Sequence, residues 1–280
     1  DRFTQGMVCH ETYKDQNNIW LSPEDVTSDD GKKFFKKNNL SEKVIVGPIE
    51  SMSKSKKNTI DPESIINDYG ADSVRLFILS DSPPEKDVQW SEQGMMASYK
   101  FIQKLWTLNS KILDKIKNND ETNENENLTK LTNQLIYKVT QNLEKFHYNV
   151  IVANLYEMYN FLNKEIEKPI KKDVLIENYK KILILMSPFI PHFTAECLKS
   201  IDQKQVKWPI ISKDELIDEE TNIVVQINGK KRGLLKVKRD VEENKVLNEI
   251  KSNPNIEKFL QNKKIIKTIF VSNRLINIII

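Results

Sequence analysis

The sequence predicts a multi-domain, mainly α chain, with a helical bundle between an irregular N-terminal segment and a small α/β domain. Three observations predict it. Apolar residues recur across 92–201 with the 3.6-residue period of core-facing helices. Asp61-Pro62 has the form of a helix start, and Gly70 can end that helix in the left-handed conformation. After residue 221 the pattern changes to short apolar strands around Asn228-Gly229, the favoured hairpin turn.

In chain order, Phe3 to Val8 reads as a short strand. A polar stretch follows, with Trp20 as its aromatic anchor and turn signals at Ser22-Pro23 and Asp29-Asp30-Gly31. Lys43 to Val46 reads as a second strand, followed by a serine-lysine loop, Ser51 to Lys57. After the helix from Pro62 to Tyr69, Asp72 is expected to cap a second one through Leu79, which Ser82-Pro83-Pro84 breaks, with Trp90 in the loop beyond. The bundle then shows four stripes. The first is Ile102, Leu105, Trp106, Asn109, Ile112, Leu113 and Ile116. The second is Leu128, Leu131, Leu135, Val139, Leu143, Phe146 and Val150. The third is Ile151, Leu155, Met158, Leu162 and Ile166, and the fourth Val174, Leu175, Tyr179, Ile182, Leu183 and Met186. An Asn-rich linker, Asn118 to Asn127, separates the first two helices, and Pro188 and Pro191 open a short fifth around Phe193, Cys197 and Leu198. In the tail, strands at 223–227 and 233–237 flank the hairpin turn, Val241 to Lys251 forms a helix, and two strands follow at 265–271 and 275–280, turning at Ser272-Asn273.

Composition sets bounds. The chain has 280 residues, 39% hydrophobic and 30% charged, which suits a soluble globular protein rather than a disordered one. Its 43 Lys+Arg against 40 Asp+Glu leave a net charge of +3, so any basic surface for nucleic acid has to be local. Cys9 and Cys197 stand far apart with no second ligand at metal spacing, so neither a disulfide framework nor a metal site is expected, and a cytoplasmic setting is. No apolar run approaches the ~20 residues of a membrane span. The chain opens Asp1-Arg2-Phe3 without Met and reads as a piece of a longer protein.

The loop carries the chemistry. Serines let a backbone bend close to a ligand, and a lysine among them is a mobile point charge able to follow a phosphate. Phosphoryl and nucleotidyl transfer need positive charge where the leaving group becomes more negative. Taken alone, such a cluster is more commonly a solvated basic loop.

Its context is specific. Met52-Ser53-Lys54-Ser55 resembles the KMSKS signature of class I aminoacyl-tRNA synthetases. Lys56-Lys57-Asn58, Asp61-Pro62 and Tyr69-Gly70-Ala71-Asp72-Ser73-Val74-Arg75-Leu76 follow in the order typical of the branch for leucine, isoleucine, valine and methionine. Lys56-Lys57-Asn58 is the leucine-like continuation and argues against the valine and isoleucine enzymes. Thr4-Gln5-Gly6-Met7-Val8, Ser82 to Ser91 and Gln226-Ile227-Asn228-Gly229-Lys230 are also similar to leucyl-tRNA synthetases of the bacterial type. The resemblance covers nearly the whole chain and is to the C-terminal part of that family.

It implies the end of a Rossmann-type catalytic domain with a short insertion and the KMSKS-like loop at 1–57, and a helical stem-contact connector at 58–91. It further implies an anticodon-binding-type α-helical bundle at 92–212 and a small α/β tRNA-contacting domain at 213–280. The implied reaction is activation of leucine with ATP, with Mg2+, and transfer of the leucyl group to its tRNA by a monomer. Lys54 is then the catalytic cation on the ATP phosphates, and Met52, Ser53 and Ser55 complete the ATP-binding loop, with Met52 as a buried hinge anchor. In the tail, Lys230, Lys231, Arg232, Lys236, Lys238 and Arg239 form one basic stripe, the implied tRNA contact, although lysines protecting a strand edge give the same pattern.

Two departures stand out. Ser51 replaces the signature's first lysine, and His10, His147 and His192 make no His-x-Gly-His pattern. The chain alone is therefore expected neither to activate leucine nor to edit. The alternative reading is a non-catalytic tRNA-binding module derived from a synthetase. His192 and Cys197 stand five apart, a poor spacing for a catalytic pair on one helix face, so His192 is expected to cap or pack. Asp72 and Arg75 are expected to fix helix ends and salt bridges.

Overall fold

The computed structural model describes residues 4–29, 31–118, 125–202, 207–212, 216, 220–260 and 263–280. They form two compact units, Asp1–Ile211 and Ser212–Ile280.

The first unit opens differently from the expectation. Residues 4–7 have no regular structure, and Phe3 lies outside the described residues; the strand β1 spans Val8–Lys14 instead. The reason is a close backbone approach. Gly6 donates to Pro84 O at 2.8 Å, and a Cβ on it would lie 2.0 Å from Lys86 O. Beyond it, β1 pairs with β2 (Trp20–Leu21) and β6 (Ile45–Ser51) antiparallel and with β7 (Val88–Gln89) parallel.

The polar stretch is more ordered than its composition suggests. Strands β3 (Val26–Thr27), β4 (Phe35–Lys36) and β5 (Asn39–Lys43) form a second, antiparallel sheet. The strand expected at Lys43 to Val46 is divided at Val44 between β5 and β6. Asp15 organises this region: its carboxylate accepts the N–H groups of Ile19 and Asn17, each at 2.9 Å, and faces Lys36 Nζ at 3.3 Å. The Ile19 hydrogen bond leads the effects that hold its carboxyl below the usual range.

Helices α1 (Pro62–Tyr69) and α2 (Ala71–Asp81) follow. Asp61 caps α1 by accepting from Glu63 N, as its sequence predicts. The bundle consists of α3 (Glu92–Lys117), α4 (Glu126–Glu144), α5 (Tyr148–Glu165), α6 (Lys172–Met186) and α7 (Pro191–Ser200). Leu105, Ile112, Leu128, Val139, Ile151, Leu155, Leu183 and Phe189 are among its buried core. Asn109, polar on the core face, is satisfied by the Tyr179 hydroxyl at 2.8 Å.

Phe146 and Val150 leave the expected stripe and are exposed. Helix α4 stops at Glu144, Phe146 takes a positive φ of 57°, and α5 restarts the phase at Tyr148. Trp106 is also partly exposed, with its ring edge-on to Phe193 at 4.9 Å. Of the expected linker, 119–124 lie outside the described residues. Its far end is tied down: Glu165, buried, accepts from Asn125 and Asn127, each at 3.1 Å, and from Lys168 at 2.5 Å.

Asp72 does not cap its own helix. Gly70 occupies the N-cap position of α2, and the buried Asp72 carboxylate reaches the first turn of α7. There it accepts from Phe193 N at 2.7 Å and His192 N at 3.3 Å, and lies 2.8 Å from His192 Nδ1. The N-cap residue of α7 is Ile190, which has no side-chain acceptor, so the orphan N–H groups of that helix take one from α2. One turn along, Arg75 donates to Pro188 O at 2.6 Å and Phe189 O at 3.2 Å. Cys197 is fully buried beside Tyr179, which burial pushes upward in pKa, and burial likewise raises the Cys197 thiol to about 11. His192 and Cys197 thus serve different neighbours.

In the second unit, β8 (Glu220–Ile227), β9 (Lys230–Lys238), β10 (Lys267–Val271) and β11 (Leu275–Ile279) form a sheet in the order β10-β11-β8-β9. Asn228 and Gly229 turn the hairpin with φ of 49° and 76°. Helix α8 (Glu243–Ser252) and a short α9 (Pro254–Glu257), the latter not foreseen, contribute Val246, Ile250 and Ile256 to a core with Ile223, Val225, Ile276 and Ile278.

Two predictions follow from these joints. Asp72→Ala removes an acceptor from two backbone N–H groups, so it is expected to lower stability by about 1–2 kcal/mol; urea denaturation would show it as a lower midpoint at constant slope. Burial raises the Glu165 carboxyl, but the hydrogen bonds from Lys168 and Asn125, with attraction to Lys168, outweigh it and leave it below its ordinary 4.5. Its contribution is therefore present above the unfolded value and lost as pH falls through the folded one. Glu165→Gln is expected to flatten the acid limb of a midpoint-against-pH curve, and an unchanged limb would remove this role from Glu165.

Candidate functional site

Strand β6 delivers the chain into the loop. Met52 continues the pairing by donating to Val8 O at 3.1 Å, and Lys54–Lys56 form one turn of 3-10 helix. Lys57 ends that turn with φ of 55°, and its N–H returns to Lys54 O at 3.3 Å. The Ser53 and Ser55 hydroxyls are 3.3 Å apart across the turn. Met52, expected to be a buried anchor, is only half-buried; its fixed part is its backbone.

The fixed point beneath the loop is Asn58, which is fully buried. Its Oδ1 accepts from Ser53 N at 2.8 Å, and its Nδ2 faces His10 O and Glu50 O, each at 3.3 Å, and Ser51 O at 3.5 Å. In the sequence Asn58 stands out only as the last residue of the Lys56-Lys57-Asn58 continuation. An amide beside a left-handed residue, able to donate and accept at once, is the signal that could have found it.

The loop's cations are not equivalent. Lys56 forms an ion pair with Glu50. Lys54 and Lys57 are exposed and form no ion pair among the described residues. Ser51, exposed at the end of β6 opposite Cys9, adds no charge. The arrangement is therefore one pinned backbone, two hydroxyls and a lysine free to follow an arriving anion.

The basic residues of the C-terminal unit do not form the single stripe that was expected. The register of β8 on β9 shifts between Val225↔Gly233 and Gln226↔Lys231, leaving Arg232 as the extra residue of a bulge. Paired residues share a sheet face, so Lys231 and Lys236 lie opposite Gln226 and Asn222, on the face away from the buried Ile223, Val225 and Ile227, and Lys238 follows two residues beyond Lys236. Lys230 lies opposite the buried Ile227, on the helix-covered face. Arg232 stacks on Phe259, guanidinium to ring centroid 4.5 Å, with Lys258 at 5.2 Å from the same ring. Lys230, Arg232, Phe259 and Lys263 line a polar pocket of about 190 Å³. Arg239 is exposed just past the end of β9. Strand β9 is also an edge of its sheet, so its lysines protect that edge from pairing as well.

Residues 15–91 match the family of class I tRNA synthetases (I, L, M and V), and residues 125–247 match the anticodon-binding domain of tRNA ligase. Over 99% of its length the chain is 38% identical to a leucine–tRNA ligase of Rickettsia massiliae (strain Mtu5), and it is 39% identical to that of Rickettsia bellii (strain RML369-C) over the same share. The chain is thus homologous, over nearly its whole length, to part of the leucine–tRNA ligases. It spans about a third of the length of these relatives, 34% and 33%. A solved LeuRS–tRNA–LeuAMS ternary complex, of Agrobacterium radiobacter K84 agnB2 LeuRS, superposes on 82% of the chain with a TM-score of 0.65 and 25% identity, using 31% of that chain. The family match places Met52 to Lys57 within the class I segment and the helices α4 to α7 within the anticodon-binding segment.

Proposed function

We propose that the protein containing this chain is a leucine–tRNA ligase, which activates leucine with ATP, releases pyrophosphate and transfers the leucyl group to its tRNA. The observation that carries this reading is Lys54: an exposed cation with no ion pair among the described residues, on a turn pinned at its base, in a chain homologous to leucine–tRNA ligases. Lys54 is the catalytic cation here, following the ATP phosphates as charge accumulates on pyrophosphate. Such a contact accelerates the step only if it tightens in the transition state, and a short exposed turn can close late. Ser53 and Ser55 offer hydroxyls to the nucleotide and Met52 fixes the root of the loop. The donor set is cationic and hydroxylic, which does not suit a divalent ion, so no step is assigned here to Mg2+; that ion would travel with the nucleotide.

In the same reading residues 1–57 close the catalytic domain, 58–91 connect it to the bundle of 92–212, and 213–280 contact tRNA. The partners are ATP, leucine and leucine tRNA, in the cytoplasm and with a monomeric enzyme. Lys230 and Arg232 reach RNA phosphates from one face of the C-terminal sheet, and Lys231, Lys236 and Lys238 from the other.

Leucine-dependent ATP–pyrophosphate exchange by the full-length enzyme is the test. Lys54→Ala is expected to lower exchange by about 10²–10³-fold, the scale of one lost transition-state charge contact. Exchange with valine or isoleucine would move the protein to a sibling enzyme. No exchange with any amino acid, from a folded enzyme that still binds tRNA, would leave the binding module. For tRNA, Arg232→Ala and Lys236→Ala, on opposite faces, are each expected to reduce the slope of log affinity against log salt by about one; an unchanged slope would remove that residue and its face from the RNA contact.

A further inference from the structure

The geometry points to Asn58 as the positioning residue that sets where Lys54 can reach. This inference rests on the reading of the loop as a phosphate-binding element. A carboxamide has one acceptor oxygen and two N–H donors. Asn58 commits all of them within a fully buried site. Its oxygen takes the N–H of Ser53, at the entry to the turn. Its nitrogen faces the carbonyls of His10 on β1 and Glu50 on β6, with Ser51 O at the limit of reach. One side chain thus ties the entry of the loop, its exit and the two strands below it to a single point.

Alternatives at this position fail for distinct reasons. Aspartate keeps an acceptor for Ser53 but sets a negative charge against three carbonyl oxygens. Alanine removes the acceptor of the Ser53 N–H and the donor that faces the three carbonyls. Glutamine adds a methylene to a fully buried side chain. With Asn58 in place, movement is confined to residues 54–57, between the pinned Ser53 and the left-handed Lys57. The free reach of Lys54 is therefore that of one side chain on a one-turn tether, not that of an open loop. Asn58 touches no reacting atom in this account; it acts through Lys54.

The experiment uses the full-length enzyme with four forms: wild type, Asn58→Ala, Lys54→Ala and the double variant. Asn58→Ala is expected to lower the turnover of leucine-dependent ATP–pyrophosphate exchange by about 10–100-fold, with KM for leucine unchanged. In the Lys54→Ala background the same change is expected to cost less than about twofold, because a positioner has no effect once its client is gone. Losses that multiply, or an Asn58→Ala enzyme within twofold of wild type, would overturn the proposal. Tryptic cleavage after Lys54, Lys56 and Lys57 gives a readout independent of activity, expected to quicken by about tenfold in Asn58→Ala as local opening becomes easier. Unchanged cleavage also overturns it. Asn58→Asp, which keeps the Ser53 acceptor, carries the same comparisons if the alanine form does not fold. Should wild type show no exchange, the ligase reading fails, while the cleavage rates still decide whether Asn58 holds the loop.

Discussion

Backbone N–H and C=O groups that leave the helix and strand ladders inside a protein must find partners, and in this chain a few side chains at the joints supply them. Asn58 does so under the serine-lysine turn, Asp72 and Arg75 at the corner between α6 and α7, and Asp15 at the root of the small second sheet. Each is polar and each bonds backbone groups, and Asp15 and Asp72 also meet one side chain apiece, Lys36 and His192. Asp72 and Arg75 stand three apart on α2, so one face of one helix serves both the donors and the acceptors of the same corner. Helix α2 is thereby fixed to the bundle by polar bonds with definite direction, in addition to the apolar contact of Leu76 with the core.

This division of labour suits the loop. A lysine meant to follow an anion gains nothing from packing, so its placement has to come from the main chain. The partition of the three lysines shows the principle at work: Lys56 is held by Glu50, while Lys54 and Lys57 stay out in solvent. The C-terminal unit uses a different device. There a single extra residue in β9 turns Arg232 onto Phe259 and separates cations that are contiguous in the chain.

Much of the helical fold was legible in the sequence, because apolar spacing encodes which helix face is buried. The stripes through Leu105, Ile112, Val139, Leu155 and Leu183 needed no tertiary information. Asp61-Pro62 and Asn228-Gly229 were equally plain, since capping and tight turns are local. What was lost was non-local or a matter of phase. Asp72 looked like the cap of its own helix because a cap supplied from 120 residues away leaves no mark in sequence spacing. Phe146 and Val150 kept the period of α4 across a break that shifts the phase. The short strands around Val26 and Phe35 carry too few residues to alternate visibly. Of the candidate site, the loop and Lys54 were legible as a motif. Asn58 and the bulge at Arg232 were not, because each depends on a partner strand.

The clamp between Asp72 and α7 also bears on the order in which the chain assembles. Helices α4 and α5, adjacent in the chain, pack on one another and can pair early, whereas this contact must close a very long stretch of chain before it returns any energy. A contact of that kind is expected to form after the folding nucleus and to act as a kinetic lock, leaving the folding rate nearly untouched and setting how slowly α7 is released once the protein is native.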